Sequence, residues 1–350
     1  MMAHALPLQH WPDVDRHEFV SLFTKGALLD DQGLLGHWRS ASRKLMQLQY
    51  ACWLSWVRES EPEALMLPPC DRATPARLRA WLAAMESLAP ATRLGHVGSV
   101  VRLCRSIAPD RSWNAHQAIL AGLHRSVKHH GSPRKTGRVL SSDVLFDAGA
   151  RLVRENDGPI THPNQAVRLR DGAMICLLAL MPMRRRALSE LALGSSLRVE
   201  GAQMTIYLDG AMTKNGQYWE AIVPDILCDQ LVVYLTIARP ALLSYGSKPQ
   251  TALWLGRTGA PLHINQFTRA IKNRTTSLLK VGVTPHLFRD AAATTLARTS
   301  PAAASMIRPI LGHASTRIAE AHYIHADTIA AGRGLATALE AFRQGKDFSR

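Results

Sequence analysis

Acidic residues are scarce in this chain. Its 27 Asp and Glu face 42 Lys and Arg, leaving a formal net charge of +15 over 350 residues and a pI near 10.2. A field of that sign repels basic partners and draws polyanions, of which double-stranded nucleic acid is the commonest. Long apolar runs are also missing. The longest, around Ala173 to Met183, is too short to span a bilayer, and no segment joins a Lys/Arg face to a bulky apolar face, so no membrane partner is expected. The opening "MMAHALPLQHWPDVD" lacks a basic region followed by an apolar core, so no signal peptide is expected. There are only five cysteines (Cys52, Cys70, Cys104, Cys176, Cys228), odd in number and never closely paired in sequence. That pattern argues against a zinc module and predicts reduced thiols in a cytoplasmic protein. Internal repeats and low-complexity segments are absent as well.

What is present is positive charge, unevenly placed. From Ser87 to Arg138 the chain carries nine Lys and Arg and a single acid, Asp110. Charge that served solubility alone would be spread more evenly. Candidate DNA contacts are Arg93, Arg102, Arg105, Arg134, Lys135 and Arg138. With 350 residues, two domains are expected, and composition divides the chain into residues 1–130, a basic linker 131–142 and residues 143–350. The first part reads as a small helical bundle with an N-terminal tail. "TPARLRAWLAAMESLA" offers Thr74 as a cap and Pro75 as the first helical residue. Leu94, Val97, Val101, Cys104 and Ala108 recur at spacings of three and four, one apolar stripe. Trp53 and Trp56 are expected core anchors in another long helix. In the linker, Gly131, Pro133 and Gly137 break helices.

The last part opens helical through "HPNQAVRLRDGAMICLLALM" and then changes period. In "SLRVEGAQMTIYLDGAMTKNGQYWEAIVP", Met204, Ile206 and Leu208 alternate to one side, and Gly201-Ala202 and Asn215-Gly216 are turn dipeptides. About three antiparallel strands follow from this, before helix returns at Asp225. The predicted fold is mainly α with a small antiparallel β-sheet.

Four short segments carry chemistry. Pro182 ends a helix and is followed by Arg184, Arg185 and Arg186; successive helical residues point about 100° apart, so at most one or two can face one site. Lys214 lies beside the expected hairpin tip. In "VTPHLFRDAAATTLA", Thr284 and Pro285 suit a helix start, and His286 and Arg289 fall on one helical face near it, where exposed N–H groups favour phosphate. "LGHASTRIAEAHYIHA" holds His313, His322, Tyr323 and His325. Taken alone, Tyr323 reads as a packing residue. A metal site from the three histidines is disfavoured, because spacings of nine and three do not readily converge and no carboxylate or thiol joins them.

In their order and spacing, "PMRRRALSELAL", "TKNGQ", "TPHLFRDAAATTLA" and "LGHASTRIAEAHYIHA" together resemble the tyrosine recombinase (phage integrase) family. The resemblance covers the last part of the chain; the helical first part is similar to that family's core-binding domain in general character. It implies a helical core-binding domain followed by a DNA breaking-rejoining catalytic domain with a C-terminal helix. It implies catalytic roles for Arg184 and Arg289 on the scissile phosphate, His286 and His313 as flanking hydrogen-bonding or acid/base groups, Lys214 as acid for the leaving oxygen, and Tyr323 as nucleophile. Arg184 is preferred because it stands two residues after Pro182 and four before Leu188. One departure is plain: where the family often carries a polar or acidic residue, three after the first Arg, this chain has Ala187.

The chemistry is consistent with those residue types. Transfer at a phosphodiester needs a nucleophile, stabilised charge on phosphoryl oxygens and a proton for the leaving group. Guanidinium forks supply the second of these without a metal ion. The resemblance implies a site-specific recombinase or integrase working through a 3′-phosphotyrosine, with no metal or cofactor. Its partner is duplex DNA, its state a homo-tetramer on paired sites and a monomer or dimer when free. The alternatives are DNA relaxation by a type IB topoisomerase-like enzyme and a non-catalytic sequence-specific DNA-binding protein.

Overall fold

The computed structural model describes residues 5–26, 33–130, 137–201, 203–213 and 216–299. The chain divides into two compact units, Met1–Pro133 and Arg134–Arg350. The first is built from α1 (Asp13–Leu22), α2 (Ser40–Ser60), the short α3 (Pro69–Arg72), α4 (Pro75–Ala84), α5 (Pro90–Ile107) and α6 (Asn114–His130). Prolines open several of these helices, where the missing N–H costs nothing. Thr74 accepts a hydrogen bond from the Arg77 N–H at 3.2 Å, the expected cap of α4. Val97, Val101 and Cys104 of the predicted α5 stripe are buried. Trp53 is fully buried, stacks on Trp56 at 5.3 Å and meets Trp81 at 5.1 Å.

The stretch expected as an N-terminal tail is folded from Leu6 onward. Leu6, Trp11 and Phe19 lie in the core, and the Trp11 indole N–H donates to the Leu6 carbonyl at 2.8 Å. A buried polar knot holds this end in place. Asp15 and Arg72, both sealed from solvent, pair at 2.6 Å, and the Tyr50 hydroxyl donates to the same carboxylate. Arg72 spends its remaining donors on the carbonyls of Ala64, Leu65 and Leu67. A guanidinium with its N–H fork so engaged can be buried; stripped of Asp15 it would be an uncompensated buried charge.

The second unit contains α7 (Ser142–Arg154), α8 (Pro163–Leu180), α9 (Arg185–Glu190), strands β1 (Leu197–Glu200), β2 (Gln203–Leu208) and β3 (Trp219–Ile222), then α10 (Asp225–Val233), α11 (Arg239–Leu243), α12 (Ile264–Leu279) and α13 (Pro285–Thr299). Helix α8 is its central post, buried from Leu169 to Ala179. It packs tightly on α7 because glycines meet there: a Cβ at Gly172 would stand 2.8 Å from the Gly149 carbonyl oxygen. The sheet has the order β1-β2-β3, antiparallel throughout, with Leu197 opposite Ile206 and Leu208 opposite Trp219. Met204, Ile206 and Leu208 face the core, as their alternation predicts. Gly201 turns at φ +61° between β1 and β2. The second turn differs from a two-residue hairpin at Asn215-Gly216: the strands separate at Leu208 and rejoin only at Trp219. Gly210 and Gly216 approach backbone to backbone across this loop, and the Thr213 hydroxyl donates to the Gln217 carbonyl at 2.7 Å.

Helices α10 and α11 are joined by a π-helical turn, Tyr234–Ala238. Pro240 supplies the cause: it lacks an N–H and its ring crowds the carbonyl four residues back. The continuous stretch Asp225–Leu243 has 19 residues and a mean hydropathy of 1.5, enough by length and composition to cross a membrane. It is longer than the apolar run Ala173–Met183 expected to be the longest. In the fold its stripe of Leu227, Leu231, Tyr234, Ala238 and Leu242 belongs to the core of the second unit.

Candidate active site

The site begins where α8 ends. Pro182 follows the last turn, and Arg184 sits extended at φ −68°, ψ 145° immediately before α9. The three consecutive arginines then diverge. Arg186 is exposed and pairs with Glu190 at 2.7 Å, one turn on. Arg185 is exposed and donates to the Thr268 hydroxyl at 3.2 Å. Arg184 alone turns inward and is half-buried, and this desolvation lowers its pKa. Helical geometry permits only this kind of split.

Arg289 comes from the first turns of α13. It is 7% exposed, and its Nη1 donates to the Pro182 carbonyl at 2.6 Å, across 107 residues of sequence. The segment that presents Arg184 therefore also grips Arg289. Burial pushes the Arg289 pKa down to about 10; the nearby Arg184 charge pushes the same way and Asp290 opposes it. Two guanidinium groups drawn out of water and into each other's field favour an anion beside them. Phosphate has the charge and the oxygen geometry to do so.

His286 lies one turn before Arg289 on the same helix and is exposed. Asp290, which the motif reading passed over, is buried directly after Arg289; the only sequence signal was an acid adjoining the His-x-x-Arg pair. Ala187 is 2% exposed and packs in the core of the second unit. Lys214, His313 and Tyr323 lie outside the described residues, as do His322 and His325. Among the described residues, no group of three or more His, Cys, Asp or Glu is placed to hold a metal ion.

The expected DNA contacts separate into different environments. Arg102 and Arg105 are exposed on α5 and line a groove of about 1080 Å³ with Trp38, Gln49, Gln117 and His124. The Arg102 guanidinium lies 5.4 Å from the Trp38 ring centre. Arg93 is half-buried. Arg138 is also half-buried and donates from Nε to the Gly282 carbonyl at 3.1 Å, which ties the approach to α7 onto the turn between α12 and α13. This bond gives Arg138 a structural role that charge counting does not reveal. Arg134 and Lys135 lie outside the described residues.

A mainly helical unit with a three-stranded sheet, presenting two converging arginines, defines the class of fold in question. Residues 158–329 match the phage integrase family. That match lies within the second unit, whose helical framework with a small antiparallel sheet is the fold of the tyrosine recombinases among the solved structures. Among solved structures, the chain is similar to the XerH site-specific recombinase bound to palindromic difH substrate in a post-cleavage complex, at 15% identity and TM-score 0.59 over 96% of this chain and 97% of that one. It is likewise similar to the Tn1549 transposon integrase in complex with transposon right end DNA, at 15% identity and TM-score 0.55 over 85% of this chain and 95% of the other. No curated protein sequence matches.

Proposed function

We propose that this protein is a site-specific DNA recombinase that breaks and rejoins strands through a covalent 3′-phosphotyrosine. The observation that carries the reading is the buried Arg289, held by the Pro182 carbonyl within the charge field of Arg184, in a desolvated place that suits a phosphate. In this reading the two guanidinium groups bind the scissile phosphate and take up charge as it develops on the phosphoryl oxygens. The phenolic oxygen of Tyr323 attacks phosphorus as its proton passes to a flanking histidine acting as base, the bond to the 5′ oxygen breaks, and Lys214 supplies the proton that makes that oxygen a hydroxyl. His286 and His313 flank the phosphate as hydrogen-bonding or acid/base groups. A 5′ hydroxyl from another strand reverses the step, so the bond energy is kept for rejoining. Duplex DNA is the partner, and exchange between two duplexes calls for four such sites, hence a homo-tetramer on paired sites. Reduced thiols fit a cytoplasmic protein. Residues 1–130 form the core-binding part, 131–142 the linker and 143–350 the catalytic part.

The test is adduct formation on nicked duplexes carrying candidate sites. The expected product is a protein–DNA adduct that survives denaturation, forms equally in EDTA and maps to the peptide containing Tyr323. Adducts on another tyrosine, or no adduct under any condition that supports binding, would overturn the proposal.

A further inference from the structure

We propose that Cys70 and Cys104 form a peroxide-sensitive dithiol in the first unit, a modification site that converts to a disulfide between α3 and α5. The two residues are 34 apart in sequence; the Cys70 thiol lies against the Cys104 backbone, and the Cys104 thiol against the residue before Cys70. The Cys70 Sγ donates to the Cys104 carbonyl at 3.4 Å, and the Cys104 Sγ donates to the Pro69 carbonyl at 3.6 Å. Both are free thiols. Cys104 is sealed from solvent, whereas Cys70 keeps 8% exposure.

The pair is also asymmetric, as a two-step oxidation requires. The neighbouring Cys104 side chain lowers the Cys70 pKa, assisted by the Arg111 guanidinium and opposed by burial and by Asp71 and Glu18. The nearness of the Cys70 side chain, with burial, holds Cys104 well above the ordinary thiol range. Cys70 is therefore the more readily ionised of the two, and Cys104 the resolving thiol. The other cysteines lack this arrangement. Burial pushes Cys176 up to about 12, and it raises Cys52 and Cys228 as well. The Cys176 and Cys228 thiols donate to the carbonyls of Phe146 and Val223.

The chemistry balances with hydrogen peroxide as oxidant. The Cys70 thiolate attacks one peroxide oxygen, the O–O bond breaks, and the hydroxide released takes up the proton that Cys70 gave up on ionising. Cys70 is now a sulfenic acid. The Cys104 sulfur attacks the Cys70 sulfur, the S–O bond breaks, and the departing oxygen leaves as water with the Cys104 proton. Two thiols lose two electrons, and one peroxide becomes two waters.

The experiment treats the full chain with stoichiometric hydrogen peroxide, then alkylates it in denaturant with N-ethylmaleimide. The expected result is three alkylated cysteines instead of five, a mass lower by two hydrogens before alkylation, and a single cross-linked peptide pair containing Cys70 and Cys104. A Cys104→Ser chain should instead stop at a sulfenic acid on Cys70 that dimedone labels. Five alkylated cysteines after peroxide, a bridge between any other pair, or dimedone on a cysteine other than Cys70 would each overturn the proposal.

Discussion

Two tyrosines in this chain can be told apart by one oxygen each. Tyr234 is fully buried, stacks on Trp254 at 5.1 Å and donates from its hydroxyl to the Leu253 carbonyl at 2.7 Å. Burial pushes its pKa up to about 12, so it stays neutral and holds two segments together. Tyr234→Phe leaves a buried carbonyl short of a donor and should lower unfolding stability by about 1–2 kcal/mol in denaturant titrations while cleavage persists. Tyr323→Phe should do the reverse, keeping fold and DNA affinity and losing strand cleavage, because the phenolic oxygen bonds phosphorus. A Tyr234→Phe protein that folds but no longer cuts would transfer the nucleophile assignment. The same logic separates the arginines. Arg184→Lys and Arg289→Lys keep charge but lose the planar fork and should each cut the cleavage rate by roughly 10²-fold; Arg186→Lys, at the Glu190 ion pair, should leave it near the parent value. Parent-like rates in Arg184→Lys and Arg289→Lys would show that charge alone matters.

At the scale of elements, the short helix α9 and the break before it matter more than their length suggests. The break turns one of three arginines inward and offers a carbonyl to a fourth, from α13. Helix α5 has a different sensitivity. His96 is buried on it, edge-on to Trp81 of α4 at 5.7 Å. Burial holds its pKa below the usual 6.5, and a hydrogen bond with the Gln49 backbone only partly offsets this. The unfolded chain therefore binds this proton more readily than the folded one. The stability contribution of a neutral His96 is complete above pH about 6.5 and is lost as pH falls through the depressed folded value. Denaturant midpoints should fall between pH 7.5 and 5.5, and His96→Gln should flatten that decline. An identical decline in the variant would assign the effect to other groups.

Across the whole molecule, the surplus of 15 positive charges should appear as a steep loss of DNA affinity with salt, since each neutralised phosphate releases counterions. Arg102 and Arg105, exposed on the groove of the first unit, are the contacts best placed to contribute. Replacing both with Ala should weaken binding on all sequences and reduce the slope of log K against log salt by about 0.9 per lost contact, near 2 in total. Arg138→Ala should act differently. Its bond to the Gly282 carbonyl makes stability the first quantity to fall. A salt slope unchanged in the Arg102/Arg105 double variant would remove the groove from the interface.

Local rules carried much of this protein in one dimension. The cap at Thr74, the α5 stripe and the inward row of Met204, Ile206 and Leu208 depend on neighbours within a turn or a strand pair, and periodicity reports such neighbours directly. Ordered motifs led from Arg184 to the His286/Arg289 pair for the same reason: each is a short segment with its own spacing. Other features required distant parts of the chain to meet. The N-terminal stretch looked like a tail because nothing nearby in sequence announces that Asp15 will find Arg72. The long excursion between Leu208 and Trp219 was hidden behind a hairpin dipeptide, since turn chemistry says nothing of backbone closure between Gly210 and Gly216. Five scattered cysteines gave no sign that Cys70 and Cys104 would face each other. The grip of the Pro182 carbonyl on Arg289 spans 107 residues; burial and mutual charge act through space, and only the folded chain sets those distances.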